Sequence, residues 1–599
     1  MWAAAAALAA LPLNSATASA YTPEPAVHYT PPPWRNTLKD GGGGGDMAGA
    51  LLHPVTKIWH VMPLSHVSWA HISSVDMVSW TYHGNGSEPP AQGGGPRFES
   101  GGMIYDHQRN LTVAFADSPT AASVSRSPDL AFGSFEKPTT LYSTTDPLNT
   151  GKNGTQAMGC WDPIMWWDER SSLYYAANAC GHCDPGDTPA EHGSHIDCSG
   201  GEGLQLYYSA PKITGTWQKL GVDFLEEKMA YVPRVGSWPR PHEFVTPDYY
   251  PLPSAGGGSS GKFGFLTTSY GDMRWTGLPG DNTSRNAGLC YDYANYYLGD
   301  RPAPGAPFEP SLATSAPFDW SPFTPVNDTA STNLTFAVSK GMMQFGCCPK
   351  TAGPEDGGRR VMFGMIANGE NQGGRTLMKA PNFTMSLPRD LSVTSDGLLR
   401  QRFIPELEKL RVGSSHVHVG EQPLASGGGI AKAAFVKGAA GRQLEIRARM
   451  KVDASVRRKF GLLVLANSSM TEYTSITFDP AREHVLLDRR QSGAGDDCDV
   501  RGGPWPGAAT TSEVTLHVYV DQAVVELIVN SSSTTGTTTA SGAPMIESTA
   551  IAAWVQPTSA ASEGVALWSE AEGVKLMSLD VWQLESPTHR VDAPSGLVE

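Results

Sequence analysis

Short runs of β-branched, aromatic and aliphatic residues, broken by clusters of Gly, Pro, Asn and Asp, fill the chain from Tyr21 to about Arg411. Leu111–Ala116, Leu204–Tyr208 and Phe263–Thr268 have the length and composition of strands bounded by turns. Beyond residue 412 the alternation is cleaner. In Leu444–Val452 the apolar residues Leu444, Ile446, Ala448, Met450 and Val452 alternate with Glu445, Arg447, Arg449 and Lys451. That period of two, repeated in Val514–Val520, predicts antiparallel strands with one face buried. Only Ile404–Leu410 reads as helical, and it falls where the pattern changes, so it is expected to be the hinge between two units. The pattern predicts an all-β chain, a multi-stranded unit over 21–411 followed by a β-sandwich over 412–584 and a tail over 585–599. Evenly spaced strands in the first unit suit a propeller, barrel or sandwich, and no exact repeat of 40 to 50 residues selects among them. Gly41–Gly45, Gly256–Gly258 and Ser531–Ser541 read as loops or insertions.

Composition agrees: 65 Gly and 46 Pro, with 17% charged residues, favour turns over long charged helices. The formal net charge of −15 argues against nucleic acid or an anionic lipid surface as partner, since both select a basic face; a neutral substrate such as sugar fits better. Residues 1–20 form an apolar, Ala-rich run ending in Ala18-Ser19-Ala20, the pattern of a signal peptide. Nine Asn-x-Ser/Thr acceptors, from Asn85 to Asn530, fit the same secretory route, whether to the extracellular space or to a vacuole. Eight cysteines suit an oxidising compartment. Cys180, Cys183 and Cys198 crowd together with His182, His192 and His195, and their spacing reads as a disulfide-pinned loop rather than a zinc site.

Glycoside hydrolysis needs two carboxyl groups facing each other across the scissile bond. Three acidic residues stand beside strand-like runs: Asp46 before Met47–Leu52, Asp162 in Cys160-Trp161-Asp162-Pro163, and Glu243 in His242-Glu243-Phe244-Val245-Thr246-Pro247-Asp248-Tyr249-Tyr250-Pro251. Each alone is a common turn or surface residue. Lying on separate strands, they converge only if the fold closes radially.

Their order, with further segments, resembles glycoside hydrolase family 32, which contains invertases, inulinases, fructan exohydrolases and plant-type fructosyltransferases. The resemblance runs over roughly residues 28 to 583. It rests on His28-Tyr29 with Pro31-Pro32-Pro33-Trp34, Asp46-Met47-Ala48-Gly49, Ala70-His71 through Asp76 to Trp80, and Phe98-Glu99-Ser100-Gly101-Gly102. It continues in Asp292–Asp300, Gly358–Met365, Ser386–Leu391 and Val520-Asp521 through Glu526 to Asn530. The resemblance implies a five-bladed β-propeller carrying a C-terminal β-sandwich, and a retaining double displacement on sucrose or fructans without cofactor or metal. Asp46 would be the nucleophile, Glu243 the acid/base and Asp162 the group that holds fructose hydroxyls and stabilises the transition state. Trp34, Trp69, His71, Ser100 and Trp161 would line the sugar site, although buried aromatics also serve as ordinary core. The chain departs from the family pattern at three places. A five-Gly run precedes Asp46, Trp161 stands where an Arg is usual, and Glu243 lies two residues ahead of the position that Val245 occupies. A bulge would absorb that offset; without it the chain would be a weakened carbohydrate-binding propeller. A fructosyltransferase would share the same intermediate.

Overall fold

The computed structural model describes residues 24 to 592, apart from 32–46, 86–100, 143–155, 223–242, 271–292, 301–308, 311–341, 505–512, 532–547 and breaks of six residues or fewer. Within the described residues five antiparallel sheets follow one another along the chain. Blade 1 begins with Met47–Leu52, blade 2 with Gly101–Asp106, blade 3 with Gln156–Asp168, blade 4 with Glu243–Pro253 and blade 5 with Lys350–Ala352. These first strands pack blade 1 on 2, 2 on 3, 3 on 4, 4 on 5, and 5 back on 1. The ring is therefore closed, and the chain is a five-bladed propeller with the first strand of each blade innermost.

Close approach of the inner strands explains the small residues there. A Cβ on Gly101 would stand 1.9 Å from the Phe115 carbonyl oxygen of the neighbouring strand, and one on Gly49 would meet Met103 of blade 2. Gly101→Ala is thus expected to lower stability by about 1–3 kcal/mol through overpacking against backbone, seen as a lower thermal midpoint with unchanged secondary structure.

The sandwich follows. One sheet orders its strands as Ser548–Trp554, Val524–Ser531, Glu513–Asp521, Gln443–Val452, Val574–Gln583 and Val417–Val419. The other contains Ala434–Ala440, Gly564–Ser569, Phe460–Ala466, Thr474–Asp479, His484–Asp488 and Val500–Pro504. Their facing apolar positions, Leu444, Ile446, Ala448 and Met450 among them, form one dry core, as the alternation predicts. The stretch read as a helix is the 3-10 helix Pro405–Leu410, six residues long, with Leu407 and Leu410 turned inward. Six residues leave room for less than two α turns, and runs this short commonly close with i→i+3 bonds.

Two connections join the units more tightly than a linear domain list suggests. Blade 4 continues into the first sandwich sheet through the parallel pairs Met343–Ala550 and Gln344–Ile551. Arg590–Val591, within the segment read as a tail, adds a parallel strand to the outer edge of blade 1 at Thr81 and Tyr82. A shared apolar layer, including Trp80, Phe363, Phe403, Leu407, Tyr519 and Leu584, lies between propeller and sandwich. Among the described residues no helix is long and apolar enough to cross a membrane.

Candidate active site

Asp162 and Glu243 belong to the innermost strands of blades 3 and 4. Asp46 lies outside the described residues, but Met47, directly after it, opens the inner strand of blade 1 and is fully buried. Trp34 and Ser100 also lie outside the described residues. Trp161 and Glu243 are placed by backbone only: Trp161 pairs with Ala179 in blade 3, and Glu243 pairs with Tyr270 in blade 4.

Asp162 is the best defined of the three. It is 4% exposed, and its backbone is left-handed at φ 52°. Asp is one of the few residues other than Gly to enter that region without a large penalty. The ladder to the next strand breaks its register there, between Ala177 and Ala179. Across the blade boundary the Thr246 N–H donates to Asp162 Oδ2 at 2.7 Å.

Thr246 has the matching irregularity. Its φ is 49°, and the blade 4 ladder shifts between Val245–Thr268 and Asp248–Leu266. One extra residue on that strand is a β-bulge. It falls between Glu243 and the Asp248-Tyr249-Tyr250-Pro251 run and accounts for one residue of the two-residue offset from the family pattern. The bulge turns the Thr246 N–H out of the ladder and toward blade 3, where Asp162 accepts it. Two left-handed residues on adjacent inner strands thus fix one another; such strain persists where surrounding structure over-determines it, and it collects at functional sites.

Below the bulge, blades 4 and 5 are tied together. Asp248 Oδ2 accepts from Thr351 N at 2.7 Å and Thr351 Oγ1 at 2.6 Å, and buried Lys350 Nζ donates to the Pro247 carbonyl at 2.8 Å. Trp166 of blade 3 lies against Tyr249 of blade 4, ring centroids 4.7 Å apart. Sequence reading assigned no role to Thr246, Asp248 or Trp166. The Asp-Tyr-Tyr-Pro run was a usable signal for Asp248, but nothing local marks a backbone N–H as the partner of Asp162.

Trp69 and His71 sit on Ser68–Ser74, the third strand of blade 1 counted from the axis. Trp69 packs among Met62, Leu64, Ala114 and Phe135 at the boundary with blade 2. His71 is fully buried, with Nε2 3.0 Å from His60 Nδ1. Burial first, then the neighbouring His60 and His83 rings, hold its pKa well below the usual imidazole value, so it is neutral. The structure brings Asp162 to the blade 4 strand that carries Glu243 and sets Trp69 and His71 two strands outward. The Cys180, Cys183 and Cys198 side chains lie outside the described residues; Cys348, in blade 5, is disulfide-bonded.

Comparison with known proteins converges on one group. Residues 406–543 match the model described as "Glycosyl hydrolases family 32 C terminal". That C-terminal segment is similar to glycoside hydrolase family 32. An invertase of Wickerhamomyces anomalus is 32% identical over 106 residues, a match that spans 16% of this chain and 17% of the invertase. Solved family 32 structures share the whole architecture. Fructan 1-exohydrolase IIa of Cichorium intybus, in complex with 1-kestose, superposes with a TM-score of 0.62 at 16% identity, covering 95% of this chain and 99% of its own. A β-fructofuranosidase of Aspergillus kawachii gives 0.64 at 15% identity, covering 95% of each chain. An exo-inulinase of Aspergillus awamori gives 0.60 at 16%, covering 94% and 98%. At these identities the structures speak for the fold, and the propeller-plus-sandwich of family 32 is the fold of this chain.

Proposed function

We propose that this protein is a secreted β-fructofuranosidase of glycoside hydrolase family 32 that removes terminal fructosyl units from sucrose or fructans with retention of configuration. The observation that carries the proposal is the Asp162–Thr246 contact. A buried carboxylate is held by a backbone donor across the boundary of blades 3 and 4, through a bulge on the strand that starts at Glu243. Strained residues that hold a buried carboxylate on an inner strand are characteristic of functional sites. In this reading Asp46 attacks the anomeric carbon and forms a fructosyl-enzyme ester. Glu243 protonates the leaving oxygen, then takes a proton from the water that cleaves the ester. Asp162 holds fructose hydroxyls while positive charge develops on the ring, and Trp34, Ser100 and Trp161 line the sugar site.

Wild-type protein incubated with sucrose and with inulin should release fructose, and the first product observed by NMR should keep the substrate's anomeric configuration. No fructose from either substrate, or an inverted first product, overturns the proposal. Asp162→Asn keeps the shape but removes the charge and turns one acceptor oxygen into a donor, and it should lower kcat by roughly 10²–10³-fold with a smaller change in KM, as loss of a transition-state contact does.

A further inference from the structure

Among the described residues, one group of side chains outside the propeller axis has metal-binding chemistry. His416, His418 and Asp580 each offer a donor atom, and the three atoms lie within 4.8 Å of one another. His416 closes the short 3-10 helix Gly413–Ser415, and His418 lies on the edge strand Val417–Val419. Two residues apart on an extended chain, they project from the same face. Asp580 is the direct cross-strand partner of His418 on Val574–Gln583. His416 Nε2 stands 2.9 Å and His418 Nδ1 2.8 Å from the same oxygen, Asp580 Oδ1.

The site is held in shape from beneath. The His416 ring is stacked on Trp582, with centroids 4.6 Å apart and planes 3° from parallel. Trp582 is gripped on its ring by the Arg411 guanidinium at 4.2 Å. Arg411 is itself fixed by a fork of two 2.7 Å bonds to Glu445. The neighbouring cation is also taken: Arg447, paired with Asp580 across the strands, turns its guanidinium to Glu408 and Glu445. Among the described residues, the ion-pair partners of Asp580 are the two imidazoles, which also supply its side-chain hydrogen bonds.

We propose that His416, His418 and Asp580 bind a divalent transition-metal ion of the zinc class, with water completing the coordination shell. Two imidazole nitrogens and one carboxylate oxygen are the donor set that zinc, copper(II) and nickel(II) prefer, whereas calcium and magnesium take oxygen. With arms of about 2.0–2.2 Å, the donors of a tetrahedral zinc stand roughly 3.3–3.5 Å apart. Each nitrogen would retreat from Asp580 by about half an ångström to reach that spacing. Bound metal would clip the segment that leaves the propeller, residues 411–419, onto the sandwich strand 574–583. The site lies apart from the proposed sugar chemistry and does not depend on it.

The full chain, freed of metal by chelation, is titrated with Zn²⁺ in parallel with His418→Ala and Asp580→Asn, both partly exposed positions that should fold normally. Wild type is expected to bind one equivalent more than His418→Ala, and Zn²⁺ should raise its thermal midpoint. Both variants should weaken that equivalent by about tenfold or more and abolish the thermal shift. Cobalt(II) substitution should give visible d–d bands that disappear in His418→Ala. Equal Zn²⁺ stoichiometry and affinity in wild type and both variants, or no binding to wild type, overturns the proposal. So does Ca²⁺ binding as tightly as Zn²⁺ with dependence on Asp580 alone, which would mark a bare carboxylate.

Discussion

Asp46→Asn is expected to lower fructose release from sucrose and inulin by about 10⁴-fold or more while leaving the thermal midpoint close to that of wild type. The size follows from the role. An amide of the same shape cannot form the ester intermediate, so the two-step route is lost rather than slowed. The small effect on stability follows from the substitution itself, since Asn has nearly the size and shape of Asp. Equal rates in variant and wild type would exclude Asp46 as nucleophile, and unfolding of the variant would be visible in the same sample by circular dichroism. Asp162→Asn should give the smaller loss, because a transition-state contact removed still leaves the covalent route open.

Glu526→Ala is expected to destabilise the protein by about 3–5 kcal/mol, the cost of breaking a buried ion pair by removing one partner. Arg389 Nε donates to Glu526 Oε1 at 2.9 Å, a second guanidinium nitrogen grips the same oxygen, and the Leu387 N–H donates to Oε2 at 2.9 Å. His28 bridges Glu526 Oε2 at 3.1 Å and Asp521 Oδ2 at 2.9 Å, and Asp521 also accepts the N–H groups of Ala26, Val27 and His28. The side chains of His28, Arg389 and Glu526 are wholly buried. Alanine at 526 would leave the Arg389 and His28 charges in a dry interior. A midpoint of chemical unfolding within error of wild type would refute the latch.

The same cluster sets a pH dependence. Burial would lower the His28 pKa, but hydrogen bonds and charge from Asp521 and Glu526 outweigh it and raise the value from 6.5 to about 9. A histidine whose folded pKa is raised stabilises fully below the unfolded value and loses that contribution as pH rises through the folded one. Glu526 moves the other way, held low by Arg389 and His28 against its burial, so its contribution is present above 4.5 and fades in acid. The cluster should stabilise most between about pH 4.5 and 6.5 and weaken between 6.5 and 9, and His28→Gln should flatten the alkaline limb of a midpoint-against-pH curve.

This cluster also explains segments that the sequence marked without giving a reason. His28, the Arg389-Asp390 pair and the Asp521-to-Glu526 hairpin were legible as pieces of a family pattern. Their purpose was not, because His28 and Asp521 are separated by 493 positions. Arg389 and Asp390 point to opposite faces of one strand: Arg389 goes inward to Glu526, and Asp390 goes to Arg359, which also holds Glu406 of the 3-10 helix. Charged residues that could have been taken for chemistry are thus latches between blade 5, the hinge and the sandwich. The tail at Arg590–Val591 could not be read as a strand, since two residues against a blade edge leave no periodic trace.

The sequence by itself determined the strands and much of the allegiance of the chain. Alternation along Leu444–Val452 and Val514–Val520 is a local property with a period of two, so it fixes which residues face a core wherever the strand is placed. Ordered motifs likewise carried the resemblance to a family and, through it, pointed to Asp46, Asp162 and Glu243. Only the tertiary structure decided how those strands meet. Closure of five inner strands around one axis sets blade 3 against blade 4, and the extra residue at Thr246 re-aims one N–H to reach Asp162. A bulge is specified by pairing between two strands, not by either alone, and so no reading of one segment could have found it.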